Sequence, residues 1–286
     1  MKTLDKLDLW KNTLVYFTSD HGAHIDLGTK GGSNKPFNGG KGMGAIEGGI
    51  RVPAMIRLPE KFQKDKLYEI KVPTTLMDFL PTVKEILDEE REPNREQVLL
   101  PNQIDGRSFL SLVKGRTESP HKFIRHYCGT SLHALRLVTN QNVYKAWFKR
   151  PILNENGHCG EYKLCSCFGN SSVLQDFGCD IEIFDLGKDP TEVTELSKNS
   201  EIYNELKWKF LHEHIRIHNN INDLLKCGID NHPNGDLKGK TSGDEIRVAS
   251  QFTTFLDVMA RPWMQPCARF PFCSTKSWDQ HARSDL

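Results

Sequence analysis

The sequence predicts an α/β protein in which one edge of a sheet carries a ligand site, followed in the chain by a small antiparallel sheet packed with a long helix. Three observations predict it. The run "LVYF", residues 14–17, is apolar with strong β preference and no polar alternation, the pattern of a strand buried on both faces of a parallel sheet. It stops at "TSDHGAH", which sets Asp20 and His21 just past the carboxyl end of the strand, where loops converge to bind ligands in open α/β sheets. Further on, "HKFIRHYCGTSLHALRLV" alternates like paired strands, and "SEIYNELKWKFLHEHIRIHNNI" has the period of a helix.

The elements follow in order. After the first strand comes a glycine-rich loop through Gly49, then a second strand in "IRVPAMIRLP". "TTLMDFLPTVKEIL" predicts a helix with a threonine cap and a stripe of Leu76, Leu80, Val83 and Leu87. The acidic and polar stretch from residue 88 to 96 reads as a loop. A first region therefore covers residues 1–118 and a second covers 119–286. In the second region Ile202, Leu206 and Phe210 line one face of the long helix, and the last forty or so residues, around "HPNGDLKGK", read as irregular. No internal repeat is visible.

Composition narrows the function classes. A chain of 286 residues with 37% hydrophobic content can build a core, and its net charge of +1 argues against nucleic-acid or membrane-surface binding by bulk electrostatics. No apolar run approaches the ~18 residues of a membrane span, so a soluble chain is expected. Of the 8 cysteines, Cys159, Cys165 and Cys167 crowd one segment, and Cys267 and Cys273 sit close together. Their spacing is no paired zinc pattern. Disulfides formed in an oxidising compartment are the favoured reading, beside free or metal-bound thiols. Asn170 in "NSS" is a glycosylation acceptor that agrees with that compartment. "MKTLDKLDLW" carries charges and no apolar core, so no signal peptide is visible, and a front part of the protein is expected to be missing.

The glycine-rich loop, "GGSNKPFNGGKGMGAIEGGIRVP", allows close backbone approach to a ligand and holds one central cation, Lys41. Gly42 follows that lysine where a phosphate-binding loop requires Ser or Thr, so the loop is not of that kind. Two readings stand for Lys41: a solvated surface lysine, or an ammonium that flanks an anionic group together with the carboxylate of Asp20.

"TSDHGAH", "GGKGMG" and "EGGIRVP", in that order and spacing, resemble the calcium-dependent sulfatases of the alkaline phosphatase superfamily, most of all the animal arylsulfatase group that includes steroid sulfatase. The likeness continues through "PTVKEIL", "IDGRSFLSLVKG", "HYCGTSLHALR", "CSCFG", "IFDLGKDPTE" and "RPWMQPC", and it matches only the back half of such an enzyme. It implies an alkaline-phosphatase-like α/β fold, hydrolysis of a sulfuric ester, and a calcium ion. Carried onto this sequence, it makes Asp20 and His21 the metal-facing pair and Lys41 the sulfate-gripping cation. For His21 the alternative is a hydrogen bond to a neighbour. His24 lies at the mouth of the site or serves only the loop.

The resemblance also implies cysteine pairs Cys128–Cys167, Cys159–Cys165 and Cys267–Cys273. Cys179 and Cys227 have no counterparts in steroid sulfatase, and two of its clustered C-terminal cysteines are lacking here. In that family the nucleophile is a formylglycine made from the cysteine of a C-x-P-S-R or C-x-A-x-R motif, and no cysteine here meets either pattern. The expectation is a sulfatase by family, inactive as this chain alone and working as part of a full-length parent in the endoplasmic reticulum, lysosome or extracellular space. Its substrate would be an aryl, steroid or carbohydrate sulfate ester. A non-catalytic sulfatase remnant or splice product acting as a binding module is the second hypothesis. "HEHIRIH" sets His214 and His218 one turn apart, but Arg216 breaks the metalloprotease pattern, and "IFDLGKDPTE" reads as a structural strand and turn.

Overall fold

The computed structural model describes residues 2–62, 69–90, 100, 104–128, 131–155 and 174–218. After a short helix α1 (Lys2–Lys6), strand β1 (Val15–Thr18) forms as expected. The glycine-rich loop follows, closing on a single helical turn, α2 (Glu47–Ile50), and then β2 (Ala54–Arg57). The parallel reading of the first strand is corrected here. β1 runs antiparallel to β2, and Phe17 and Met55, opposite each other in the register, are 57% and 62% exposed. An unbroken apolar run reports hydrophobic residues on both faces but not the direction of the neighbouring strand.

Thr75 stands at the cap position, and half of a capping box is made there: the Asp78 carboxylate accepts the Thr75 backbone N–H at 2.7 Å over the three-ten turn Leu76–Asp78, which leads into α3 (Phe79–Glu89), while Thr75 Oγ1 makes no hydrogen bond among the described residues. The stripe is corrected. Leu76, Leu80 and Leu87 are exposed, while Thr82 and Ile86 are buried and Phe79 stacks on Tyr16 with ring centroids 4.7 Å apart. Ile86 packs with Leu58, Phe62 and Leu110, the last at the start of α4 (Leu110–Val113). α3 runs to Glu89, so the first residues of the expected acidic loop are helical. Residues 91–96 lie outside the described residues.

Four antiparallel strands come next, ordered β3 (Phe123–Cys128), β4 (Ser131–Val138), β5 (Val143–Trp147) and β8 (Glu182–Asp185). A separate pair joins β6 (Lys149–Pro151) to β7 (Leu174–Asp176). The long helix α5 (Glu201–His218) packs Tyr203, Leu206, Phe210 and Leu211 with Leu132, Leu135 and Ile183 of the four-stranded sheet and with Phe148 just beyond β5. Ile202, expected on the same face, is 42% exposed. It sits one residue before Tyr203 and therefore points off the stripe. His214 and His218 have ring centroids 4.5 Å apart, and His214 lies against Phe148. Among the described residues no group of three or more His, Cys, Asp or Glu side chains is placed to hold a metal, and no helix is long and apolar enough to cross a membrane.

A second core cluster positions the site. Met43, Ala45 and Ile46 of the glycine-rich loop are buried against Ala134, Trp147 and Phe184 of the four-stranded sheet and Leu186 just after it. This part of the loop is thus seated on the C-terminal sheet.

Candidate functional site

β1 ends at Thr18 and delivers Asp20 and His21 to the turn beyond it. Ser19 Oγ donates to the His21 carbonyl at 2.7 Å, and the His21 backbone N–H donates to Asp20 Oδ1 at 3.0 Å. The imidazole has an acceptor on each side: Asp20 Oδ2 lies 3.1 Å from Nε2 and the Gly22 carbonyl lies 2.9 Å from Nδ1. With both ring nitrogens engaged, the outward donor of the pair is the Asp20 carboxylate, whose side chain is 80% exposed. His24 heads the three-ten turn Ile25–Lys30, with Nε2 3.8 Å from Asp26 Oδ2.

The structure brings the Asp20–His21 turn and the Lys41 loop together by backbone clamps. Lys41 N–H donates to the Ala23 carbonyl at 3.0 Å, and Gly22 N–H donates to the Gly49 carbonyl at 2.9 Å. Asn34 bridges the two segments: its Oδ1 accepts from Ala23 N–H at 2.6 Å, while its Nδ2 donates to the carbonyls of Ala23 and Gly39. Glycine is required where the backbones meet. A Cβ on Gly22 would lie 1.8 Å from the Gly48 carbonyl oxygen, and one on Gly48 would lie 2.3 Å from that of Asn38.

Sequence reasoning missed the residues beneath this clamp. Asn34 lies in the glycine-rich loop with nothing in the neighbouring residues to single it out. Glu47, Lys145 and Glu192 form a buried charged set behind the loop. One signal was available, a lysine inside the otherwise apolar strand "VYKAWF". Burial alone would raise the Glu47 pKa, but the charges of Lys145, Arg136 and Arg51 outweigh it and hold the carboxyl below its usual range.

Cys128 and Cys179 are each disulfide-bonded. Cys159, Cys165, Cys167, Cys227, Cys267, Cys273 and Asn170, and with them the rest of the expected pairing, lie outside the described residues.

Two histidines in the C-terminal sheet, His133 buried and His126 half-buried, set an acid limit. Burial, reinforced by Lys149 and partly opposed by Asp176, lowers the His133 pKa from 6.5 to about 4. Burial with Arg136 and Lys145 holds His126 well below its usual range. A histidine with a depressed folded-state pKa favours folding while neutral, so its contribution is present above pH 6.5 and is lost as pH falls toward 4. The thermal midpoint should therefore drop by several degrees across that interval, and His133→Gln should flatten the drop. Thermal denaturation of both proteins at a series of pH values checks this.

A mixed helix and sheet region with an acid at a strand end, clamped to a lysine-bearing glycine loop and seated on a following antiparallel sheet, is consistent with an alkaline-phosphatase-like α/β fold. Comparison with known proteins narrows the class. A family model described as sulfatase matches residues 1–89, and one described as the C-terminal region of aryl-sulfatase matches residues 119–225. The chain belongs to the sulfatase family. Arylsulfatase H of Canis lupus familiaris is 32% identical over 98% of this chain and 45% of its own length. Human arylsulfatase D is 30% identical over 96% of this chain and 42% of its own. Mouse steryl-sulfatase is 37% identical over 70% of this chain and 32% of its own. The chain thus spans less than half the length of these relatives.

Proposed function

We propose that this chain supplies one wall of the active site of a calcium-dependent sulfuric ester hydrolase, as part of a full-length enzyme. The observation that carries the proposal is the clamp between the Asp20 turn and the Lys41 loop, which ties a carboxylate and an ammonium to adjoining backbone segments. In this reading Lys41 neutralises an oxygen of the sulfate group and disperses charge that builds as the ester bond breaks. Asp20 gives the oxygen donor that calcium prefers, and His21 orients it through Nε2.

The fit to calcium is partial. With both His21 ring nitrogens engaged the pair offers the Asp20 carboxylate alone, while calcium commonly takes roughly 6 to 8 oxygens, so other parts of the enzyme must complete the shell. The ion, when bound, would polarise the sulfate oxygens. A nucleophile must come from elsewhere as well, because no cysteine of this chain stands in a formylglycine motif. Endoplasmic reticulum, lysosome or extracellular space remains the proposed location. Names of relatives support sulfate esters as the class, and aryl, steroid and carbohydrate sulfates are all admitted.

The experiment joins this chain to a sulfatase front half bearing the formylglycine motif and measures hydrolysis of 4-nitrophenyl sulfate, with and without a calcium chelator. Hydrolysis that calcium restores after chelation is expected, with none from residues 1–286 alone. Turnover by the isolated chain, or full activity under chelation, would overturn the proposal.

A further inference from the structure

The loop that carries Lys41 is held from behind by charges with almost no contact with water. Lys145, on β5, is 0% exposed. Its ammonium lies 3.0 Å from Glu47 Oε1 and 2.9 Å from Glu192 Oε1, and it donates to the Ala45 carbonyl. Glu47 Oε1 also accepts from Arg136. Glu192 Oε1 accepts the Trp147 indole N–H at 2.8 Å, and its Oε2 accepts the Glu47 backbone N–H at 3.2 Å. The lysine further lies 4.6 Å from the centre of the Trp147 ring. Every acceptor and donor here comes from one of three places: the start of α2, the strands of the C-terminal sheet, and the turn after β8.

Burying three such charges costs much solvation, and apolar side chains of similar volume often give an equally stable protein, so stability is a poor explanation for the set. Direction is a better one. An ammonium between two carboxylates and a carbonyl has one arrangement that satisfies all of them, whereas an apolar contact allows sliding. The part it pins, α2 with Ala45, is the part from which both sides of the site hang. Gly49, in α2, accepts from Gly22 beside the Asp20–His21 turn, and Gly48 N–H donates to the Asn38 carbonyl at the root of the Lys41 loop, at 2.9 Å.

We propose that Lys145, with Glu47 and Glu192, is a positioning group for Lys41 and Asp20: the C-terminal sheet sets the spacing of the site's two segments by gripping α2. The proposal rests on the reading of Lys41 as the sulfate-gripping cation. Lys145 touches no substrate in it. It acts through the backbone of residues 45–49, so its loss misplaces Lys41 without removing it.

The test uses Lys145→Met and, in case the lone change leaves Glu192 too poorly paired to fold, Lys145→Met/Glu192→Gln, which removes one charge of each sign. In the full-length enzyme, kcat for 4-nitrophenyl sulfate should fall by about 10- to 100-fold with KM little changed, the penalty of a small misplacement of a charge-stabilising group. Placed in a Lys41→Ala background, the same change should cost nothing further, since there is no ammonium left to misplace. In residues 1–286, amide hydrogen exchange should quicken over residues 38–49 and stay unaltered in β3 and β4. Losses that multiply with that of Lys41→Ala, an unaltered kcat, or exchange that quickens throughout the sheet would each overturn the positioning role while leaving the role of Lys41 intact. Undiminished turnover by Lys41→Ala alone would instead overturn the sulfatase role of Lys41, and this proposal with it.

Discussion

Lys41→Ala in the full-length enzyme should lower turnover of an aryl sulfate by about 100-fold or more, the scale measured when one preorganised charge-stabilising donor is removed from an active site. The loss should fall mainly on kcat, because a cation that meets charge developing on the sulfate helps the transition state more than the bound ester. Thermal stability should change by less than about 1 kcal/mol, the usual worth of a charge in a polar, half-exposed place. Lys41 is half-buried, and the loop around it is held by the backbone bond of Lys41 N–H to Ala23, which alanine keeps. Activity assays and a melting curve on the same preparations check both parts. Equal turnover in the mutant would return Lys41 to the reading of a solvated loop lysine.

Gly22→Ala should destabilise the chain by about 3 kcal/mol or more, one of the largest effects available to a single methyl group. The added carbon would stand 1.8 Å from the Gly48 carbonyl oxygen and 3.0 Å from Asn34 Oδ1. Neither neighbour can withdraw cheaply. Gly48 is itself held against the Asn38 backbone, and Asn34 is tied at both ends of its amide. Relief requires the Asp20 turn to part from α2, which breaks the bond from Gly22 N–H to Gly49 and separates the two sides of the site. Denaturant unfolding of residues 1–286 measures the loss, and a midpoint equal to that of the parent chain would show that the two segments are not locked together.

The contrast between these two residues marks how far local sequence reaches. Gly22 stands in the quoted "TSDHGAH", yet nothing in that heptapeptide says that a carbonyl from residue 48 will fill the space beside it. The strand at Val15–Thr18, the helix after Thr75, the paired strands around Cys128 and the helix at Glu201–His218 were legible because each depends on side-chain period, β preference or a cap within a few residues. The buried face of α3 was not. Its sequence offers Leu76, Leu80 and Leu87 as the natural stripe, but the neighbours that cover a helix come from elsewhere, and Leu58, Phe62 and Leu110 cover Ile86.

By itself the sequence determined the chemistry on offer: an acid and a histidine at a strand end, a lysine among glycines, and a chain of motifs resembling sulfatases, because these lie in runs of adjacent residues. The tertiary structure decided how those parts are held. It made β1 and β2 antiparallel, turned the His21 ring onto Asp20, tied Ala23 directly to Lys41 and through Asn34 to Gly39, and set Lys145 between Glu47 and Glu192. The physical reason is range. Periodicity and capping act over one or two turns of chain, whereas strand direction and the pairing of buried charges depend on which distant segments exclude water from one another, and Glu47 meets Lys145 and Glu192 only once the glycine-rich loop has packed on the C-terminal sheet.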